Sequence, residues 1–360
     1  MSPSTPNKTL KGHKLITLID FQPIDYLIAD LQSTFPDLEI ISRNVSWHSH
    51  QGDQDIPESD WQTATVLLTG STIPKPESAR KLELVQLTSA GANHVLDTEL
   101  FKGTDVAFCT ANGVHGPQIS EWVIATYLAN QHFLPQYYDS QKEKKWQKVA
   151  QDPVDSVGQR VGILGYGAIG RQTARVCKAM GMSVHAYTLH PKDTPESRRD
   201  HSYTPPGLGD VEGDLPSKWF SGGSKEDLHA FLGSDLDLLV IALPLTPKTE
   251  KLISTAEFEV LKKKRTFLSN IGRGPIVDSE ALYQALENED IRGAALDVTD
   301  PEPLPDGDKL WGAKNIIITP HVSGRSISYK DRSFAILKEN LKSLAEGKEF
   351  MNRVNRKDGY

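Results

Sequence analysis

Cysteine is nearly missing from this chain of 360 residues. The two present, Cys109 and Cys177, are too few for a disulfide framework and point to a reducing compartment. Long apolar runs are missing as well. The longest, such as Leu238–Leu243 and Ile316–Ile318, fall far short of the roughly 20 residues that cross a bilayer. Met1 to Lys14 contain no apolar stretch of the kind a secretory signal needs, and Asp358-Gly359-Tyr360 match no retrieval or lipidation signal. A basic excess is also absent: 40 Lys and Arg against 47 Asp and Glu leave a net charge of −7, which argues against general nucleic-acid binding. No His/Cys spacing suggests a metal site. The expectation is a cytoplasmic protein with neither a membrane nor a nucleic acid as partner.

What is present is an ordinary globular composition, 38% hydrophobic and 24% charged, at a length that suits two cores. Short β-branched and Leu-rich runs alternate with amphipathic stretches. One series of strands is expected at Lys14–Asp20, Leu38–Ser42, Ala64–Thr69, Leu84–Thr88 and Asp105–Cys109. A second series is expected at Arg160–Leu164, Ser183–Tyr187, Leu236–Leu243, Arg265–Asn270, Gly293–Asp297 and Asn315–Thr319. Helices are expected between them, for example at Gln118–Asn130, Ala168–Met180, Lys225–Leu232 and Asp278–Glu287. Continuous apolar strands alternating with helices indicate parallel sheets covered on both faces. The fold class is therefore α/β, with two doubly wound parallel-sheet domains. The last helix, Ile327–Ala345, has no strand to feed and is expected to return to the first domain. That makes one domain discontinuous (1–120 with 325–360) around a central one (121–324). From Asp193 to Ser224 prolines and glycines break the rhythm, and a long functional or surface loop is expected there.

The strongest local signal is Gly165-Tyr166-Gly167-Ala168-Ile169-Gly170, which follows an apolar strand and opens a helix. In that setting Gly165 makes the tight turn, Gly167 lets the backbone approach a pyrophosphate and Gly170 lets helix and sheet close up. The anion then sits on the N–H groups of Ala168, Ile169 and Gly170 at the helix N-terminus. The next strand ends in Tyr187-Thr188, where a carboxylate would hold the ribose hydroxyls of NAD. Thr188, followed by His190 and Lys192 with Arg198 and Arg199 beyond, offers a neutral hydroxyl and cations instead. This favours NADP over NAD, which stays open.

Three further motifs stand at strand ends, the edge at which parallel sheets bind ligands. In Ser269-Asn270-Ile271-Gly272-Arg273-Gly274 flanking glycines leave Arg273 free to hold a carboxylate. In Asp297-Val298-Thr299-Asp300-Pro301-Glu302-Pro303-Leu304 two prolines restrain Glu302. In Thr319-Pro320-His321-Val322-Ser323-Gly324 a histidine follows the last strand. A hydride arriving at a 2-oxo carbon pushes charge onto the carbonyl oxygen, which a protonated His321 and Arg273 can take up. Glu302 beside His321 would favour the imidazolium form.

On these motifs, and on Leu87-Thr88-Ser89-Ala90-Gly91-Ala92, the chain resembles the D-isomer-specific 2-hydroxyacid dehydrogenase family over nearly its whole length. The resemblance implies a Rossmann-type cofactor domain within a discontinuous, flavodoxin-like substrate domain, closing on a hinge and usually dimeric. It implies that Arg273 binds the substrate's carboxylate and carbonyl, His321 is the acid/base and Glu302 orients it. Ala90 and Gly91 would help hold the carboxylate by their backbone. Asp297 would contact the nicotinamide amide, and Leu243, Pro244, Ile271 and Gly324 would line the cofactor. The substrate implied is a small 2-oxo or 2-hydroxy acid. Thr188 departs from NAD-dependent members and resembles the NADP-using glyoxylate and hydroxypyruvate reductases. A nicotinamide-sensing co-repressor of the same fold is the alternative. Formate dehydrogenase is a weaker one, since that branch resembles a Gln where Glu302 stands. The cluster Lys262-Lys263-Lys264-Arg265 reads as a helix C-terminus, Lys142, Lys144 and Lys145 as a solvated helix face, and Cys177 as core. Trp47, His48 and His50 lie in a polar stretch that could border a pocket, and Ser120 and Ser323 lack the context of a hydrolase nucleophile.

Overall fold

The computed structural model describes residues 7–20, 22, 24–45 and 56–356; Trp47, His48 and His50 lie outside these. The chain forms two compact units, Met1–Val114 with Ser326–Tyr360, and His115–Arg325. Among the described residues no helix is long and apolar enough to cross a membrane.

The first unit contains β1 (Lys14–Ile19), α1 (Asp25–Thr34), β2 (Glu39–Asn44), α2 (Glu58–Trp61), β3 (Val66–Thr69), β4 (Leu84–Leu87), α3 (Glu99–Gly103) and β5 (Ala107–Cys109). All its strand pairs are parallel, in the order β2-β1-β3-β4-β5, which is the flavodoxin-like winding. Alternate residues serve opposite faces, as the pleat demands. Leu15, Val66, Leu68, Leu84 and Ala107 pack with Leu27 and Leu31 of α1. Ile16, Leu18, Leu67, Val85 and Phe108 pack on the other side with Trp61, Leu100 and Phe101.

The second unit runs α4 (Gly116–Gln131), α5 (Leu134–Lys142), β6 (Arg160–Leu164), α6 (Ala168–Ala179), β7 (Ser183–Thr188), α7 (Pro195–Arg198), β8 (Lys218–Ser221), α8 (Lys225–Leu232), β9 (Leu238–Ile241), α9 (Thr255–Leu261), β10 (Phe267–Asn270), α10 (Ser279–Glu287), β11 (Gly293–Leu296) and β12 (Ile316–Ile318). The chain then re-enters the first unit as α11 (Tyr329–Glu346), whose Phe334, Leu337 and Leu341 join the α1 side of that sheet. The second sheet is wholly parallel, ordered β12-β11-β10-β9-β6-β7-β8. From β6 the strands run one way through β7 to β8 and the other way from β9 to β12. The topological switch point lies between β6 and β9, where a Rossmann sheet binds its dinucleotide. Val161, Ile163, Leu238, Val240 and Phe267 face α4 and α6. Leu164, Leu239, Ile241 and Leu268 face α8, α9 and α10. Cys177 is in the first of these cores, and burial pushes its thiol up to about 12.

Two expectations are corrected here. The stretch Asp193–Ser224 is not one long loop, because it contains α7 and β8. Strand β8 pairs with β7 in register, Ala186 opposite Trp219, and supplies the third strand of the β6-β7-β8 half. The lysines near Glu143 do not share a helix face, because α5 ends at Lys142 and Lys144 has φ +57°. The cluster after α9 does lie at a helix end, where Lys262 pairs with Asp290, Lys264 with Asp237 and Arg265 with Glu289.

One buried histidine ties this sheet to pH. His185 of β7 has Nδ1 at 2.8 Å from Ser234 Oγ, and its ring packs against Phe220. Burial, helped by the Arg160 and Lys218 charges, pushes it from 6.5 down to about 4. As pH falls below about 6.5 the unfolded chain takes up this proton before the folded one does. The stability it contributes is therefore complete above that pH and is lost towards pH 4. We expect the thermal midpoint to fall less steeply from pH 6.5 to 4.5 in His185→Gln than in the parent; equal slopes would contradict this role.

Candidate active site

The glycine loop meets its steric requirements position by position. Gly165 has φ +103°, and a Cβ there would lie 2.7 Å from the Ala242 carbonyl oxygen; at Gly170 it would lie 2.4 Å from the Gly165 oxygen. At neither position does a side chain fit, in the turn at Gly165 or in the first turn of α6 at Gly170. At Gly167 a Cβ would meet nothing within 4 Å, so the space beside that backbone is open. Helix α6 starts at Ala168 without a side-chain cap. The first-turn N–H groups of Ala168, Ile169 and Gly170 are thus left to an external anion, which is the fit a dinucleotide pyrophosphate requires.

At the end of β7, Thr188 Oγ1 donates to the His190 carbonyl at 2.8 Å, and His190 is exposed. The Lys192 carbonyl accepts from Arg198 Nε at 2.8 Å. Arg199 is not free for a ligand, since its Nη2 lies 3.2 Å from Glu212 Oε1. The β7–β8 segment is clamped to α6. Arg171, only 5% exposed in its side chain, faces Asp200 at 3.4 Å. It also donates to the carbonyls of Asp210 and Arg198. Tyr166, between the first two glycines, donates to Asp210 Oδ2 at 2.7 Å.

The catalytic candidates stand on loops that follow β10, β11 and β12. After β10, Asn270 braces the turn: its Oδ1 accepts from Gly272 N–H and its Nδ2 donates to the Arg273 carbonyl. Gly272 and Gly274 could carry no Cβ, which would lie 2.8 Å from the Leu243 oxygen and 1.8 Å from the Thr299 oxygen. The β9, β10 and β11 loops therefore touch backbone to backbone. Burial lowers the pKa of Arg273, and the nearby Glu302 charge opposes that shift. The Arg273 guanidinium also donates to the Gly272 carbonyl at 2.7 Å.

His321 and Glu302 are brought into contact, with His321 Nδ1 2.6 Å from Glu302 Oε1. Nδ1 is thereby occupied, and Nε2 has no partner among the described residues. His321 has a left-handed backbone, φ +53°, uncommon for a non-glycine residue. Its N–H donates to the Asp297 carbonyl at 2.8 Å. The Asp297 carboxylate, 2% exposed, accepts from Thr319 Oγ1 at 2.6 Å, Val322 N–H at 2.8 Å, Ser323 N–H at 2.9 Å and the Ser323 hydroxyl. The donors around Asp297 are thus those of the histidine loop. Gly324 is anchored by Gln118 Nε2, which donates to its carbonyl at 3.0 Å. Ile271 is buried, and Pro244 accepts from Thr249 Oγ1 at 2.8 Å. Ala90 and Gly91 follow β4 in the other unit, where Ser89 Oγ donates to the Gly91 carbonyl at 2.7 Å. Ser120 is buried and donates to the Gly116 carbonyl at 2.7 Å, so neither it nor Ser323 has a nucleophile's setting. Residues not singled out from sequence are Asn270, Thr319 and Ser323 as braces, and Tyr166 and Arg171 as clamps. Asn270, Thr319, Ser323 and Tyr166 stand inside the motifs read from the sequence, whereas Arg171 carried no local signal.

The structure is thus an α/β protein with a Rossmann sheet that carries an Arg, a Glu and a His in the loops at its carboxyl edge. Residues 124–208 and 218–323, more than half of the chain, match the family model described as D-isomer specific 2-hydroxyacid dehydrogenase, NAD binding domain. The unmatched 209–217 fall within the β7–β8 segment. The chain is 35% identical over 211 residues to the glyoxylate reductase of Aeropyrum pernix, covering 59% of this chain and 56% of that one. It is 28% identical over 280 residues to the D-3-phosphoglycerate dehydrogenase of Methanocaldococcus jannaschii, covering 78% of this chain and 48% of that one. It thus spans about half the length of these curated relatives. The crystal structure of a D-isomer specific 2-hydroxyacid dehydrogenase family protein from Aeromonas salmonicida superposes with a TM-score of 0.75 at 27% identity. That match covers 96% of this chain and 100% of the other. The chain belongs to the D-isomer-specific 2-hydroxyacid dehydrogenase family.

Replacing Asp297 by Asn removes one acceptor oxygen and puts an N–H₂ against backbone donors. At least one buried donor is left unpaired, at a cost of about 1–3 kcal/mol. We expect a melting midpoint lower by several degrees, read by calorimetry, together with slower turnover. An unaltered midpoint would show that the loop holds its shape without this carboxylate.

Proposed function

We propose that the protein reduces a small 2-oxo acid to the D-2-hydroxy acid with NADPH, and runs the reverse reaction with NADP. The observation that carries this reading is the His321–Glu302 pair, with Nδ1 held and Nε2 left over. The reduced nicotinamide, when bound, supplies the hydride to the 2-oxo carbon. Arg273, charged and largely removed from water, binds the substrate carboxylate and stabilises the charge that grows on the carbonyl oxygen. His321 donates the Nε2 proton to that oxygen and Glu302 stabilises the imidazolium beforehand. In the oxidative direction the neutral imidazole takes the proton from the hydroxyl. Ala90 and Gly91 are assigned to the carboxylate by resemblance. Asp297 acts first on the histidine loop, and a contact of Asp297 with the nicotinamide amide belongs to the same proposal.

Gly165, Gly167, Ala168, Ile169 and Gly170 would hold the pyrophosphate, Leu243, Pro244, Ile271 and Gly324 the nicotinamide half, and Thr188, His190 and Lys192 the adenosine ribose. NADP is preferred to NAD because β7 ends in a hydroxyl with no carboxylate to repel a 2′-phosphate. A cytoplasmic homodimer completes the reading. Support for self-association comes from the stretch after α4, which leaves Tyr138, Trp146 and Val157 largely exposed.

The test is oxidation of NADPH and NADH, side by side, with glyoxylate, hydroxypyruvate, 2-oxoisocaproate and phenylglyoxylate. We expect turnover that is faster with NADPH. His321→Ala should lower kcat by about 10²–10⁴-fold, the usual worth of a general acid, and Arg273→Gln should raise KM for the oxo acid as well as lower kcat. Tight nucleotide binding without turnover on any oxo acid would favour the nicotinamide-sensing binding protein instead.

A further inference from the structure

The segment between β7 and β8 presents one arginine in an unusual state. Arg198 ends α7; its Nε donates to the Lys192 carbonyl at 2.8 Å, and its own carbonyl accepts from Arg171 Nη2 at 2.6 Å. The guanidinium lies over the Trp219 ring, 5.9 Å from the centroid. Trp219 in turn packs edge-on against Tyr166 of the glycine loop, with centroids 5.0 Å apart. Gly213, at φ +76°, closes the other side, because a Cβ there would lie 2.6 Å from Arg198 Cβ. The side chain is therefore fixed along its stem and tied both to the residues that follow Thr188 and to the pyrophosphate loop.

Its two terminal nitrogens, by contrast, have no hydrogen-bond or ion-pair partner among the described residues. Three acids of the segment are engaged elsewhere. Asp200 faces Arg171 and accepts from Ser202, Asp210 accepts from Tyr166 and from the N–H groups of Asp214 and Leu215, and Glu212 pairs with Arg199. A guanidinium held in place with two N–H₂ groups that no described residue engages suits a phosphate dianion, which it can grip in a bidentate manner. Its location beside the end of the second Rossmann strand is where a ribose 2′-phosphate is accommodated.

We infer that Arg198, delivered by the β7–β8 segment, is the residue that distinguishes a 2′-phosphorylated adenosine ribose from a plain one, with Trp219 and Gly213 as its supports. This rests on the reading above that the cofactor is NADPH. It goes further in assigning the discrimination to Arg198 and in giving the segment a purpose.

The test is equilibrium binding by titration calorimetry of NADP, NAD, 2′-AMP and 5′-AMP to the full chain and to Arg198→Gln, Arg198→Lys and Arg199→Gln. For the parent we expect NADP to bind at least tenfold tighter than NAD, and 2′-AMP tighter than 5′-AMP. Arg198→Gln should remove most of both differences, Arg198→Lys should restore part, and Arg199→Gln should keep them. An unchanged NADP/NAD ratio in Arg198→Gln would overturn the assignment while leaving the NADP reading intact. An equal loss for all four ligands would also overturn it, by showing that Arg198 only braces the loop. No NADP preference in the parent would defeat the NADP reading itself, and the assignment with it.

Discussion

The buried carboxylate of Asp297 determines where His321 stands. A carboxyl group this far from water is tolerated only when hydrogen-bond partners surround it, and here all of them come from the loop that carries the histidine. The two oxygens take the hydroxyls of Thr319 and Ser323 and the N–H groups of Val322 and Ser323, while the main-chain oxygen takes the N–H of His321. That lacing holds His321 at a positive φ which a free chain would seldom adopt, and so brings its ring to Glu302. The pair depends on the carboxylate even though Asp297 touches neither side chain of it.

The other half of the site rests on close backbone approach. Side chains are forbidden at Gly165, Gly272 and Gly274 because the Ala242, Leu243 and Thr299 carbonyls occupy the space a Cβ would need. The loops after β6, β9, β10 and β11 therefore form one packed rim, and Arg273 projects from it. Polar contacts do the corresponding work beside the end of β7. Arg171 and Tyr166 anchor the β7–β8 segment to the start of α6, so that segment is part of the cofactor domain's frame and not an appendage.

Much of the α/β pattern was legible because apolar strands that are buried on both faces write themselves as uninterrupted runs. Leu238–Ile241 is an example. Strand β8 was not legible: Lys218-Trp219-Phe220-Ser221 is short, lies at the sheet edge, and is enclosed by Pro216 and Gly222, so its composition resembles that of a turn. For helix α5 the bounds were not legible. It buries no residue and so shows no apolar stripe to mark where it starts and stops. Arg273, Glu302 and His321 could be picked out because each sits in a loop just after an apolar strand. The supporting residues could not, since Arg171 is one more polar residue on a helix until Asp200 is folded against it.

The chain by itself determined whatever depends on neighbours in sequence: the strand-turn-helix of the glycine loop, the alternation of strand residues between the two sheet faces, and the absence of a carboxylate after Tyr187. These are local because sterics and the pleat act over a few residues. Only the tertiary structure decided which distant groups meet. Glu302 and His321 stand nineteen positions apart in sequence, and the Thr299 carbonyl that excludes a side chain at Gly274 lies on a different strand's loop. Their contacts follow from the order β12-β11-β10, which places three consecutive strand ends side by side. The free state of Arg198 is likewise a tertiary outcome. Its charge is written in the sequence, but which acids are already engaged with other groups is settled by packing alone.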